Sequence, residues 1–350
     1  MNVLSLFDGM SCGQIALNRA GIEYNNYYAA EIDKYAIKVT QANYPNTIQM
    51  GSVTEWRTWD IDWGSVGLFF GGSPCQGFSF AGKQLAFDDP RSKLFFVYVD
   101  ILEHIKKHNP KVKFMLENVR MKKEHLDLIT KYVDVEPVKI NSDLVSGQHR
   151  IRFYWCNWAI NQPDDKGVLM KDILQSQSEF DDSHYYSSTV LKRLNTDGLI
   201  RCGRGGYKYA CKEHDKPAPI TARHYKGMQS QPYPVIKEIV KLGNTNPSGN
   251  GMNGDVFSSN GLCPTLTTNK GEGIKIKDQE KYRKLTPIEC ERLQTVSDNY
   301  TNHVSNSQRY KMLGNGWTVE IIAHIFKGMD SEPVCTEKNQ LEFDFMDNTP

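Results

Sequence analysis

Val66-Gly67-Leu68-Phe69-Phe70-Gly71-Gly72-Ser73-Pro74-Cys75-Gln76-Gly77-Phe78-Ser79 passes from an apolar run into paired glycines, a proline and a cysteine, and then into a loop containing Gly, Lys and Asp. The run reads as a buried strand, and the glycines and proline as the turn that ends it. A loop after the carboxyl end of a strand is where open α/β sheets place their ligands, so Cys75 stands where a nucleophile would act. A small thiol filling a core gap has the same local sequence. The stretch therefore predicts a strand and a loop, and leaves the role of the cysteine to its surroundings.

Upstream, residues 3 to 6 read as a buried strand, and Phe7-Asp8-Gly9-Met10-Ser11-Cys12-Gly13 as the turn into a helix from Gln14 to Ala20. Glycines in such a turn let a ligand approach the backbone, and the helix start supplies N–H donors. A strand at Tyr27-Tyr28-Ala29-Ala30 ends in Glu31-Ile32-Asp33. An acidic residue at the tip of a second strand is placed to accept from ribose hydroxyls, while Asp33 caps a helix from Lys34 to Asn43. A short segment at 47–53 and the strand at 66–70 continue the alternation. A helix at about Arg91 to His108 follows, then a strand at Val112-Lys113-Phe114-Met115-Leu116 capped by Glu117-Asn118-Val119. Residues Val133 to Ile140 and Ile151 to Cys156 read as a hairpin-like pair of strands. This pattern predicts an α/β, Rossmann-like, doubly wound and mostly parallel sheet.

From about Ala159 to Ile276 helical periodicity is poor and Gly, Pro, Asn, Ser and Thr cluster, which predicts a second, smaller, irregular β-rich lobe. The chain then returns through Leu285-Thr286-Pro287-Ile288-Glu289, with Thr as N-cap, Pro at the first helical position and Glu three residues after the cap. A last helix, Thr318 to Lys327, follows Leu313-Gly314-Asn315-Gly316-Trp317. The expected division is 1–158 and 277–329 for one domain, 159–276 for the inserted lobe, and 330–350 for an acidic tail.

A chain of 350 residues with net charge +1 is ordinary in bulk, but its charge is uneven. Between Ser183 and Lys241 eleven Lys/Arg stand against four Asp/Glu, interleaved with tyrosines and histidines, a combination suited to phosphates and bases. A solvated surface face would have the same composition. From Asp330 to Pro350 six acidic residues face one basic residue, the signature of a disordered tail. Eight scattered cysteines without a CxxC pair argue against a zinc site or a disulfide framework. No basic leader or membrane-length apolar span is present, so a cytoplasmic protein with no membrane association and no metal is expected.

The order Phe7-x-Gly9, Glu31, Pro74-Cys75-Gln76, Glu117-Asn118-Val119, Gln148-x-Arg150-x-Arg152, Arg292-Leu293-Gln294 and Gly314-Asn315 resembles the cytosine-C5 DNA methyltransferase family over about residues 1 to 328. The resemblance implies a class I methyltransferase fold, S-adenosylmethionine as cofactor, duplex DNA as substrate, and residues 159–276 as target recognition domain. It makes Cys75 the thiolate that adds to C6 of a flipped cytosine, and Glu117 the partner of N3 and the exocyclic amine. Arg152 would lie near O2, and Arg150 near a phosphate or the nucleophile; on a strand the two share a face. Around the cofactor the resemblance places Phe7, Asp8, Gly9, Met10, Glu31, Ile32, Val53, Leu94 and Asn315. Ser52 stands where the family usually carries Asp for the adenine amine. The first motif is similar to that of animal de novo methyltransferases and some phage enzymes.

For DNA, the loop from Gln76 to Ser92 reads as a closing lid with Gln76 and Gln84 as contacts at the vacated base. In the second lobe Thr265 and Leu266 look like the family's Thr-Leu pair, and Arg201, Arg204, Arg223 and Lys226 are candidate groove and phosphate contacts. A restriction-enzyme partner is a further expectation. Gln340-Leu341-Glu342-Phe343-Asp344-Phe345 is similar to peptides that dock on bacterial replication sliding clamps. Two other readings are a transfer-RNA cytosine-C5 methyltransferase, whose Cys-Phe-Thr signature is absent, and a catalytically silent DNA-binding relative.

Overall fold

A computed structural model describes residues 1–73, 93–180, 239–244, 254–266, 274–278 and 281–330. Cys75, Gln76, Gln84, Arg201, Arg204, Arg223, Lys226 and the segment Gln340 to Phe345 lie outside the described residues.

The Val66 run forms β4 (Val66–Gly72), and it is one of seven strands in a single sheet. The others are β1 (Asn2–Leu6), β2 (Tyr27–Ala30), β3 (Ile48–Gln49), β5 (Lys113–Val119), β6 (Pro137–Asn141) and β7 (Ile151–Cys156). Their spatial order is β3-β2-β1-β4-β5-β7-β6. β3, β2, β1, β4 and β5 pair in parallel, and β7 runs antiparallel between β5 and β6. The chain leaves β1 toward one edge and returns to its other side at β4, so the strand order reverses between them. A reversal of this kind opens a crevice at the carboxyl ends of the strands. The doubly wound, mostly parallel expectation is what the sheet shows.

The helices follow from local sequence. α1 (Cys12–Ala20) ends on Gly21 in the left-handed conformation, a C-cap that glycine adopts without steric cost. α2 (Lys34–Asn43) starts on Asp33, whose side chain accepts from the Tyr35 amide. α3 (Lys93–His108) and α4 (Lys123–Val133) follow β4 and β5. α5 (Pro287–Leu293) carries the expected capping box, with Thr286 accepting from the Glu289 amide and Pro at the start. α6 (Asn306–Asn315) and α7 (Val319–Lys327) complete the set among the described residues.

The structure departs from the sequence expectation at several points. Helix α1 begins at Cys12, two residues early, because Ser11 itself turns the chain with φ near +62°. Val133 ends α4 rather than opening a strand, and the strand starts at Pro137. The buried residues of α4, His125, Leu126, Ile129 and Val133, recur at helical spacing. α6 was not foreseen, being mostly polar with only four buried residues.

Two apolar layers flank the sheet. One gathers α1, α5, α6 and α7 around Phe70, Leu313 and Phe326; the other gathers α3 and α4 around Phe69, Phe95 and Trp155. Residues 159–180 pack on the first layer through buried Met170 and Ile173, and Trp158 donates to the Ile325 carbonyl. A second sheet, β11-β10-β9-β8, is built from β8 (Lys241–Asn244), β9 (Asp255–Ser258), β10 (Lys275–Asp278) and β11 (Lys281–Lys284). This small sheet continues to Lys284, past residue 276. Its last strand is joined to α5 by the fully buried pair of Arg283 and Glu289, both nitrogens at 2.8 Å from the carboxylate. No described helix is long and apolar enough to cross a membrane, and no described group of three or more His, Cys, Asp or Glu is arranged to hold a metal.

Candidate active site

The carboxyl ends of β1, β2, β4 and β5 surround a cavity of about 560 Å³, and the turn between α6 and α7 closes its far wall. That volume suits a ligand of cofactor size.

Its floor is the turn after β1. Phe7, Gly9 and Ser11 all have left-handed backbone conformations, with φ of 57°, 59° and 62°. Two of the three are not glycine, so the turn holds strain of the kind that concentrates at ligand sites. Glu31 braces it: Oε2 accepts from the Gly9 amide at 2.8 Å, and Oε1 from the amides of Ile32 and Asp33 at 2.7 and 2.8 Å. Asp8 is buried beneath, taking the Tyr27 hydroxyl on Oδ1 at 2.6 Å, while Oδ2 has no partner in good geometry among the described residues. Burial pushes its carboxyl up to about 6, opposed by the hydroxyls of Ser5, Tyr27 and Ser11 and reinforced by Glu31.

Along one side lie Ile32, 76% exposed, with Ser52, Val53 and Leu94. Ser52 is the N-cap of a short 3-10 helix: its Oγ accepts from the Thr54 amide at 3.3 Å and meets the Thr54 hydroxyl at 2.8 Å. A local capping duty thus occupies the side chain at this position. Asn315 also lines the cavity. Met10 does not: it is buried in the core, its carbonyl taking the Tyr300 hydroxyl. The expectation that Met10 lies around the methionine end is therefore corrected for its side chain, which the packing of α1 against α6 and α7 draws inward.

Opposite the floor, the ends of β4 and β5 run side by side, with Gly72 in register with Glu117. The Ser73 hydroxyl and carbonyl accept from the Asn118 side-chain Nδ2 at 3.2 and 3.5 Å, so the last described residue before Pro74-Cys75 is fastened beside Glu117. Glu117 is buried; Oε1 meets Arg152 Nε at 2.9 Å and Oε2 accepts from the Trp317 indole at 3.0 Å. A Cβ at Gly72 would sit 2.7 Å from Glu117 Oε2 and 3.1 Å from Trp317 Nε1. Only glycine leaves the carboxylate its place.

Arg150 precedes β7, with Arg152 on the strand, and both line the cavity. Their duties differ. Arg152 holds Glu117 and the Ile151 carbonyl, whereas Arg150 is buried and donates to the carbonyls of Leu266, Gly314 and Gly316. Burial and the like charge of Arg152 draw the Arg150 guanidinium's pKa down, and those carbonyls satisfy the charge. Its guanidinium latches the α6–α7 turn and the Leu266 segment together at the cavity wall; the expectation for it was a place near a phosphate or the nucleophile. Thr265 gives its hydroxyl to the His149 carbonyl and Leu266 is buried, so the Thr-Leu pair is part of this latch.

The described thiols are all buried, and burial favours their protonated form. Cys12, which lines the cavity, is pushed up to about 12 by burial, and Cys156, Cys263 and Cys290 are likewise buried with raised pKa. Trp317 is the site residue that sequence reading missed; the Gly-Asn-Gly-Trp run marked a helix start, and its partner is two hundred residues away.

A family model for C-5 cytosine-specific DNA methylases matches residues 1–133 and 148–331. The chain belongs to the C-5 cytosine-specific DNA methylases. It is a DNA cytosine-5-methyltransferase, and its methyl donor is S-adenosylmethionine. This methylase is 28% identical to the orphan methyltransferase M.SPRI of Bacillus phage SPR, over 93% of this chain and 97% of that one. It is 27% identical to the type II methyltransferase M.HhaI of Haemophilus parahaemolyticus, over 93% of each. Among solved structures, the Entamoeba histolytica methyltransferase EhMeth matches with TM-score 0.63 and 16% identity, over 94% of this chain and 97% of that one. A putative DNA modification methyltransferase from an Escherichia coli prophage matches with TM-score 0.59 and 19% identity, over 94% and 98%. These structures share the methylase fold. The cavity also fits the cofactor: an exposed apolar wall at Ile32 suits a flat ring, and the acidic Asp8 and Glu31 in its lining suit a ligand that carries positive charge.

Proposed function

We propose that the protein methylates cytosine C5 in duplex DNA through a covalent adduct between Cys75 and C6 of a flipped-out base. The observation that carries this reading is the juxtaposition of Ser73, Glu117 and Arg152 at one rim of the cavity. Cys75 follows Ser73 by two residues, a span of at most about 7 Å, which gives its thiol the reach to act on the Glu117 side of the cavity. A thiolate adding to C6 pushes electrons onto N3, C4 and C5 of the ring, and Glu117 bonded to N3 and the amine offsets the charge that develops there. Arg152 aligns Glu117 and, in this reading, meets the base's O2. The cofactor supplies an electrophilic methyl group, held by Phe7, Asp8, Gly9, Glu31, Ile32, Ser52, Val53, Leu94 and Asn315. Loss of the C5 proton to a base and departure of the thiolate then restore the ring. Because C6 is shielded in a stacked duplex, the base must leave the helix, and Gln76 and Gln84 belong to the loop that fills the gap.

The basic, tyrosine-rich stretch from Ser183 to Lys241 supports a target recognition lobe that tracks phosphates and reads groove edges through Arg201, Arg204, Arg223 and Lys226. A cognate restriction enzyme and a sliding clamp engaged by Gln340 to Phe345 are partners that fit this activity.

The adduct is tested with duplex DNA carrying 5-fluorocytosine, whose C5–F bond blocks release. With S-adenosylmethionine present, a denaturation-resistant complex is expected with DNA. No complex with DNA, or trapping of RNA alone, defeats the reading.

The charge state of Asp8 gives a second test. Its carboxyl titrates near 6 in the folded protein, so below that pH it holds a proton, and a cationic ligand must displace that proton to pair with it. Cofactor affinity should therefore weaken as pH falls through 6, approaching about tenfold per pH unit below it, by proton linkage. Calorimetric titration from pH 5 to 8 measures this. Asp8→Asn should bind weakly and without that slope; a slope unchanged in Asp8→Asn removes the role.

A further inference from the structure

The indole of Trp317 has no part in the chemistry above, yet it donates to Glu117 Oε2 at 3.0 Å. We infer that Trp317 is a positioning residue for Glu117, orienting its carboxylate toward the cytosine ring. This rests on the assignment of Glu117 to the base.

Three segments distant in sequence meet at this carboxylate. β7 brings Arg152 Nε to 2.9 Å from Oε1, the turn before α7 brings the indole to Oε2, and Gly72 leaves no slack behind. An indole N–H is donor only, so it cannot reverse its role, and an ionised carboxylate offers about four acceptor sites. One fixed donor on each oxygen leaves capacity on the carboxyl group to accept from the exocyclic amine and to carry the proton that it donates to N3. Without the indole, Oε2 loses the contact that fixes the carboxylate's rotation about its terminal bond.

The tryptophan is itself held firmly. Its ring lies 5.9 Å from Phe70, centroid to centroid, within the core layer around α7. Its carbonyl takes the Cys12 thiol at 3.8 Å, and the preceding Gly316 carbonyl takes Arg150 at 2.8 Å. A donor anchored at both ends of its peptide holds its target better than a mobile lysine would.

The test is a double-substitution cycle on the full chain, comparing wild type, Trp317→Phe, Glu117→Ala and the double variant. Methyl transfer to DNA, S-adenosylmethionine affinity, DNA affinity and melting temperature are measured for each. Trp317→Phe should lower kcat roughly tenfold, the scale of losing one charge-assisted hydrogen bond, a larger effect than on either affinity. In Glu117→Ala, already down by about 100-fold or more, adding Trp317→Phe should cost nothing further, because no carboxylate remains to orient. Multiplying losses in the double variant, or a loss confined to cofactor affinity, overturns the inference. Benzothienylalanine placed at 317 keeps the ring and replaces the N–H with sulfur, so it decides the matter if the Phe variant misfolds: kcat at the wild-type value overturns the inference, and a roughly tenfold loss supports it. Glu117→Ala with wild-type kcat would instead defeat the assignment of Glu117, an outcome distinct from additivity at Trp317.

Discussion

Cys75→Ser is expected to abolish methyl transfer, by about four orders of magnitude or more, while leaving DNA and cofactor affinity near wild type. A serine hydroxyl is scarcely ionised at neutral pH and adds poorly to a pyrimidine ring, whereas a thiol is partly ionised and intrinsically more nucleophilic. No described thiol is poised to substitute: Cys12, the one described cysteine that lines the cavity, is held protonated by burial, with a pKa raised to about 12. The cofactor contacts and the Glu117 cluster are built from other segments, so binding should survive. Tritium transfer from labelled cofactor to DNA measures the first effect and calorimetry the second. Residual transfer within tenfold of wild type would mean that another nucleophile acts.

Glu289→Ala should be the most damaging change away from the cavity. Glu289 is fully buried and accepts two bonds from Arg283, one from the Gln175 amide and one from the Thr286 amide, all at 2.8 to 2.9 Å. Removing the carboxylate leaves a buried guanidinium without its counter-charge and two amides without acceptors. Breaking one side of such a pair costs about 3–5 kcal/mol, a large share of the stability of an ordinary domain. Urea unfolding followed by tryptophan fluorescence should show the midpoint fall accordingly. A midpoint within experimental scatter of wild type would show that the small sheet is not held to the larger domain through this pair.

Much of the larger sheet was legible in the sequence because its information is local. Val66 to Phe70, Tyr27 to Ala30 and Ile151 to Cys156 are apolar runs bounded by turn formers, and Thr286-Pro287-Ile288-Glu289 spells its own helix start. The expected cofactor set also converges on one cavity, Met10 excepted, because residues at the carboxyl ends of parallel strands share one edge whatever lies between them. The misses have a common cause. Whether Arg150 meets a phosphate or the carbonyls of Gly314 and Gly316, and whether Trp317 is a helix flank or a partner of Glu117, depends on contacts across more than 150 residues. No local pattern carries that information. Helix α4 was missed for a different reason: its apolar positions are few, and Val133 beside Val135 resembles a strand start when read alone.

The wall contributed by Met312, Gly314, Asn315, Gly316 and Trp317 has a consequence for the protein's synthesis. The floor of the cavity, Phe7 to Cys12, leaves the ribosome before this wall, which follows some three hundred residues later, with the Cys12–Trp317 contact joining the two. At typical elongation rates that interval is about 15–60 seconds, far longer than helix or hairpin formation takes. An unfinished chain can form much of the sheet but has no enclosed chamber, so a polypeptide halted before residue 312 cannot be a working enzyme. Catalytic competence arrives with the last tenth of the chain.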